Sequence, residues 1–369
     1  MGSGASTLAA HGRRKPFALL SMLAVLGGCA TLPANRAIDC ADASAPRISH
    51  SADGAIATTR IDVLTYNIEG LPFPARRNRA PYLREIGQRL AALRAQGEAP
   101  DIIVFQEVFS RAATAAIEAS GYPSIVSGPG ARSRQTPNEE GALPGRRRIL
   151  RGEIRANFTS SGLVIATEFP IIESHYRPFA RGSCAGFDCL SNKGVLYAEI
   201  AIPGVPGGLD VYTTHMQSQR SSRVSVYRHS EAHARQAREL SRFTEEYGNL
   251  AFPTIIAGDF NMRGSDARYY EFTRRVPLDN VHRYCTERPD SCDVRQDWPN
   301  ANQWRHEQNL YFFLPGQTVN MYPISAEGMF DGGPSGPVLA DHNGFRVVYE
   351  LSWPTRETPS TFCPAPRQS

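Results

Sequence analysis

Lysine is almost missing from this chain: of 40 basic residues, 38 are arginine, and the two lysines are Lys15 and Lys193. Long apolar runs are missing too. FALLSMLAVL, over 17–26, holds ten residues, whereas a bilayer-spanning helix needs about twenty. No CxxC pair and no His-Cys cluster is present, so a zinc centre has no support. Neither a repeat nor a linker divides the middle of the chain, and one large domain is expected. An excess of one charge is also absent. The formal charge is +4, and removing residues 1–28, which hold Arg13, Arg14, Lys15 and no acid, leaves 4 − 3 = +1. Global charge therefore selects no partner.

What is present supports a folded, exported protein. With 369 residues, 41% of them hydrophobic, the chain can bury a large core, which excludes disorder. HGRRKP (11–16) is a basic n-region, residues 17–26 an apolar h-region, and LGGC follows. Small residues before Cys29 are similar to a bacterial lipobox, which implies cleavage ahead of Cys29 and lipidation of its thiol. An ordinary signal peptide cut nearby is the alternative, and both expectations include export. Six cysteines then remain, an even number that favours disulfides outside the cytoplasm. Fifteen pairings are possible; the local pairs Cys184–Cys189 and Cys285–Cys292, with Cys40–Cys363 joining the ends, are expected.

Charge is concentrated in residues 130–155, where seven arginines face three glutamates. Such a run is a solvated loop or a surface that meets phosphates. Elsewhere, apolar stretches read as strands: IDVLTYNI (61–68), DIIVFQEV (101–108), SGLVIAT, KGVLYAEIAI, LDVYTTHM and FPTIIAGD. Leu83, Ile86, Leu90 and Leu93 have helical spacing before Gly97, and Ala237, Leu240, Phe243 and Tyr247 stripe a long helix over about 222–247. Strands with helices outside imply layered α/β packing. His229 and His233, four apart on that helix, lack carboxylate companions and are read as a helix face. Residues 29–60 and 353–369 read as peripheral extensions around a 61–352 domain.

Several strands end in polar residues that a simple core would not hold: Asn67, Glu107, His215, Asp259 with Asn261, and then Asp341-His342 in VLADHNGF. In IIAGDFNM (255–262) the apolar run stops at Asp259, and period-2 alternation directs Asp259 and Asn261 to one side. Their order and wording resemble the endonuclease/exonuclease/phosphatase superfamily: an Asn in the first strand, QE in the second, TH, GDFN, and DH near the C-terminus. That resemblance spans about 61–352 and implies a four-layered α/β sandwich, two face-to-face mixed β-sheets flanked by helices. TYNIEGLPF, FQEVF, NKGVLYAEI and THMQSQ are similar to the wording of neutral sphingomyelinases, and Met329-Phe330 lies where membrane-active relatives carry an apolar tip.

The resemblance implies phosphodiester hydrolysis with residues in defined roles. Glu107, with Asn67 beside it, would hold a hard ion, and oxygen donors suit Mg²⁺. His342 would be the general base. His215 and Asn261 would donate to phosphoryl oxygens, Asp259 would orient the water, and Asp341 would assist the metal or its neighbour. Lys193 would offer the substrate a compact charge that arginine cannot. One departure stands out: NLYFF (309–313) puts Asn309 where relatives carry an Asp that orients the histidine base. The expected protein is a monomeric, exported, Mg²⁺-dependent phosphodiesterase acting on a phospholipid such as sphingomyelin, at a membrane surface. A secreted nuclease of the same fold and a catalytically weak surface lipoprotein are the alternatives.

Overall fold

Two of the expected strands illustrate how this chain is built. Val63, Thr65 and Val104 alternate with Leu64, Tyr66, Ile103 and Phe105, and all are buried, so each strand is covered on both faces. Strands of that kind read as continuous apolar runs because helices pack on one face and another sheet on the other.

The structure is a computed structural model describing residues 32–137, 139–154, 156–295, 307–333, 336–359 and 363. In chain order its first half contains β1 (Ser49–His50), β2 (Ile56–Asn67), α1 (Arg79–Gln96), β3 (Ile102–Gln106), α2 (Arg111–Ser120), β4 (Ser124–Ser127), β5 (Val164–Thr167) and β6 (Ile171–Pro178). There follow β7 (Gly194–Ala201), β8 (Gly208–His215), α3 (Val226–Tyr247), β9 (Thr254–Asp259), α4 (Asp266–Thr273), β10 (Asp279–Asn280) and α5 (Val281–Glu287). The last strands are β11 (Asp293–Arg295), β12 (Asn309–Leu314), β13 (Asn320–Met329) and β14 (Gly344–Pro354).

These strands form two mixed sheets. One runs β11-β13-β14-β2-β3-β5-β4, with β1 also on β2; the other runs β10-β12-β9-β8-β7-β6. Between them lies a core with Val63, Val104 and Val347 from the first sheet and Leu196, Val211 and Ile255 from the second. Leu83, Ile86 and Leu90 of α1 and Ile117 of α2 cover the outer face of the first sheet. Leu240 and Phe243 of α3 and Phe272 of α4 cover the second. Helix, sheet, sheet and helix make the expected four-layered α/β sandwich. Gly97 ends α1 as read from the sequence, in a left-handed conformation with its N–H on the carbonyls of Arg94 and Leu93.

Pairing register sets which strand ends meet. Asn67 is level with Gln106, and His215 with Asp259, in parallel pairs. Asn309 opens β12 opposite Asp259, and β14 begins just after His342. The polar residues of both sheets thus gather at one end of the sandwich.

Two details modify the sequence reading. The stretch before residue 61 contributes to the sheets: β2 starts at Ile56, β1 pairs with it, and the Arg36 backbone bridges Ile125 of β4. Met329 and Phe330 form no exposed apolar tip; both are buried, and Phe330 stacks on Tyr66 with ring centroids 5.3 Å apart. The three disulfides are those expected, Cys40–Cys363, Cys184–Cys189 and Cys285–Cys292. Cys29 and the expected leader lie outside the described residues. Among the described residues no helix is long and apolar enough to cross a membrane.

Candidate active site

Asn67 is the hub. Its amide nitrogen lies 3.1 Å from Glu107 Oε1 and 3.1 Å from Asp259 Oδ2, so its two N–H groups serve one carboxylate from each sheet. Its oxygen accepts the Glu69 N–H at 3.1 Å, which fixes the orientation of the amide.

Glu107 follows the end of β3 in a left-handed conformation, φ +60°. That turns its side chain out of the sheet at modest backbone cost. Gly70 permits the close approach around it, because a Cβ there would collide with the Glu107 carbonyl. Desolvation pushes the Glu107 carboxyl up to about 7; Asp259 and Asp341 add to the rise, while His342 and the Asn67 hydrogen bond oppose it.

From the second sheet come His215 and Asp259. His215 Nε2 is 3.4 Å from Asp259 Oδ2. Burial foremost, then the Lys193 charge, holds the His215 imidazole well below its ordinary value, and it is neutral. Its Nδ1 is buried without a hydrogen-bond partner. Asp259 Oδ1 accepts the Asn261 N–H at 3.0 Å, locking the turn after β9. Asn261 is itself left-handed, and its amide donates to the Met216 carbonyl at 3.0 Å. The GD step of GDFN needs its glycine, since a Cβ at Gly258 would strike the Thr214 carbonyl of the neighbouring strand.

His342 completes the cluster from the loop before β14. Its Nε2 lies 3.9 Å from Asp259 Oδ2 and 4.0 Å from Asp341 Oδ1, and the side chain is partly open to solvent. Asp341 sits at the rim, held by Arg76 at 2.8 Å and by its own N–H on Glu69 Oε2 at 3.1 Å.

Asn67, Glu107, His215, Asp259, Asn261 and His342, separated by up to 275 positions in sequence (342 − 67), therefore share one site. Lys193 stands behind it. Its ammonium is buried between Asp188 Oδ1 at 3.0 Å and the Met216 carbonyl at 3.1 Å. Asn309 lies beneath: its amide donates to the Asn343 carbonyl at 3.1 Å, and its Oδ1 is buried without a partner.

Other contributors went unread in the sequence. Glu69 lies inside the quoted TYNIEGLPF segment, yet no periodicity marks it as the link between Arg76, Arg79 and the Asp341 backbone. Arg268 is buried and donates to the carbonyls of Gln217 at 2.6 Å and Asn261 at 2.8 Å, tying two site loops together. His229 and His233 sit under the same loops: His229 Nδ1 meets Arg268 at 2.6 Å, and His233 Nε2 meets the Phe260 carbonyl at 2.9 Å.

The model of the endonuclease/exonuclease/phosphatase family matches residues 64–323, more than half of the sequence. The chain belongs to this family. Sphingomyelinases of Mycobacterium tuberculosis and Mycobacterium bovis are 28% identical to it over 207 residues, which are 55% of this chain and 34% of theirs. The match thus spans about a third of those relatives' length. Among solved structures, sphingomyelinase C from Streptomyces griseocarneus has a TM-score of 0.54 at 18% identity, covering 78% of this chain and 99% of its own. A two-residue variant of Staphylococcus aureus beta toxin with bound magnesium ions has a TM-score of 0.55 at 17% identity, with the same coverage. At such identity the likeness establishes the family fold alone.

No group of three or more His, Cys, Asp or Glu side chains poised to hold a metal ion occurs among the described residues. Even so, Glu107 is a desolvated carboxylate whose ionised form the Asp259 and Asp341 charges disfavour further, an arrangement that a hard cation relieves.

Proposed function

We propose that this protein is an exported, Mg²⁺-dependent phosphodiesterase that hydrolyses a phospholipid such as sphingomyelin. The observation that carries this reading is the convergence on Asp259 Oδ2 of Asn67 Nδ2 at 3.1 Å, His215 Nε2 at 3.4 Å and His342 Nε2 at 3.9 Å. A hydrolase of this kind must take a proton from water, neutralise charge on the phosphoryl oxygens and support the leaving oxygen. Glu107 would hold the Mg²⁺, which would supply Lewis-acid neutralisation of the phosphate when bound.

The chain's own groups supply the rest. His342, partly open to solvent, takes the proton of the attacking water at Nε2. Asp259 fixes the bearings of both imidazoles and the Asn261 turn. His215, neutral and dry, serves as a hydrogen-bond donor rather than an acid. Asn67 holds the two carboxylates apart, Asn261 and Lys193 fix the Met216 carbonyl and so the segment after His215, and Asp341 steadies the rim near His342. The three disulfides support export, where such bridges persist. We place the activity at a membrane surface and the folded unit as a monomer with its leader removed.

The unpartnered oxygen of Asn309 favours a second reading, a catalytically weak lipoprotein, because an amide cannot stabilise an imidazolium by charge. Headgroup release from sphingomyelin and phosphatidylcholine, with plasmid DNA in parallel and with Mg²⁺ or EDTA, separates the readings. Mg²⁺-dependent lipid cleavage lost in Glu107→Gln and His342→Ala supports the phospholipase-type activity. DNA cleavage without lipid cleavage would establish the nuclease instead, and no turnover of either would leave the binding protein.

A further inference from the structure

With Met329 and Phe330 buried, the exposed apolar residues lie elsewhere. In the sequence RRRILR, 146–151, Ile149 is 56% exposed and Leu150 97%. All four arginines of that turn are exposed, and none forms an ion pair among the described residues. The turn is nonetheless well anchored. Glu153 accepts the Arg148 N–H at 2.7 Å, the Gly186 N–H at 3.0 Å and the Arg228 Nε–H of α3 at 2.7 Å. The Arg151 guanidinium donates to the Arg223 carbonyl.

That anchoring joins the turn to a wider face. Gly152 packs on the Phe187 backbone, where a Cβ would come within 3.0 Å, and Phe187 is 44% exposed. At the start of α3, Tyr227 is 83% exposed. The neighbour of Phe187, Asp188, accepts the Ser218 N–H at 2.6 Å and pairs with Lys193 at 3.0 Å, so this face borders the segment that follows His215. Apolar tips at Ile149 and Leu150 flanked by arginines without an ion pair, on a face bordering the segment after His215, form a surface of one defined chemistry.

We propose that this face docks the protein on an anionic lipid surface, with Ile149 and Leu150 entering the boundary between headgroups and acyl chains and the arginines meeting lipid phosphates. Apolar insertion and anionic attraction reinforce each other at such an interface. Nucleic acid satisfies the arginines but leaves Leu150 in water, so the apolar tips favour the lipid. The biological purpose of the docking rests on the phosphodiesterase reading; the binding itself is measurable without turnover.

The test uses the full chain in a Cys29→Ser background, so that leader and acyl effects are equal in every arm, with EDTA present. Vesicles of phosphatidylcholine with and without phosphatidylglycerol, and a short DNA duplex, are the probes. Cosedimentation is expected with the anionic vesicles and to weaken with salt. Arg146→Glu/Arg147→Glu/Arg148→Glu should lower binding by roughly two orders of magnitude, and Leu150→Asp by about tenfold. Both variants should keep their melting temperature and their hydrolysis of a small soluble phosphodiester. Equal binding to neutral vesicles, unchanged binding in Leu150→Asp, or capture of DNA without vesicles would overturn the proposal. Vesicle binding that persists in a chain inactive on every substrate would sustain the docking surface while removing the phosphodiesterase reading.

Discussion

Asn67 reaches across from the end of one sheet to Asp259 at the end of the other, amide nitrogen to carboxylate oxygen, at 3.1 Å. The same nitrogen serves Glu107, so a single neutral side chain separates two acids that would otherwise face each other undiluted. Asn67→Ala should raise the Mg²⁺ concentration for half-maximal activity by about 10–100-fold, the usual cost of losing a group that orients metal ligands. Activity titrated against Mg²⁺ in wild type and variant measures this; superimposable curves would remove the hub role.

Loss of either imidazole should slow turnover. His342→Ala is expected to lower kcat by about 10²–10⁴, the range for a lost general base. His215→Ala is expected to lower it by about 10²–10³, as for a lost oxyanion donor. Stopped assays at saturating substrate give both numbers, with circular dichroism confirming the fold. Full activity in His342→Ala would eliminate it as the base.

Asn309 is the testable weakness of the site. Asn309→Asp introduces a carboxylate opposite Asp259, at the position where the family resemblance implies an Asp. We expect kcat to rise by about tenfold or more, in line with the outer-shell effects known at histidine sites. An unchanged or lower kcat would show that Asn309 is the residue this site is built around.

Stability should fall in acid through His282. This side chain is buried against Phe345, and burial depresses its imidazole from 6.5 to about 3. The unfolded chain therefore takes up a proton that the folded chain refuses, so stability is full above about 6.5 and lost as pH falls toward 3. His282→Leu should flatten the decline in this window by up to about 1.4 kcal/mol per pH unit, one proton's worth. Denaturant midpoints between pH 7 and 4 measure it; parallel slopes would contradict it.

The bridges should differ in weight. Cys40–Cys363 closes a separation of 323 residues, against 5 for Cys184–Cys189. Replacing the first pair by serine should destabilise by about 2–4 kcal/mol, and the second by less, because longer loops hold more unfolded-state entropy. Urea unfolding of the two double variants ranks them.

Much of this molecule is legible along the chain. Apolar runs that stop abruptly at Asn67, Glu107, His215 and Asp259 mark strand ends, because a sheet interior tolerates no isolated charge. Helix stripes such as Leu83, Ile86 and Leu90 and the cysteine pairs are equally local signals. The burial of Lys193 against Asp188, of Phe330 against Tyr66, and of His229 and His233 beneath the site loops is not legible, and neither is the addition of β1 to the first sheet. Each depends on a neighbour brought in by packing, and burial changes what a side chain can do: a lysine becomes a strut, a histidine stays neutral, an apolar pair becomes core. Residue type and spacing determined the chemistry on offer, and the meeting of two sheets at their polar ends decided which groups share it, because only folding sets the distances on which hydrogen bonds and charges depend.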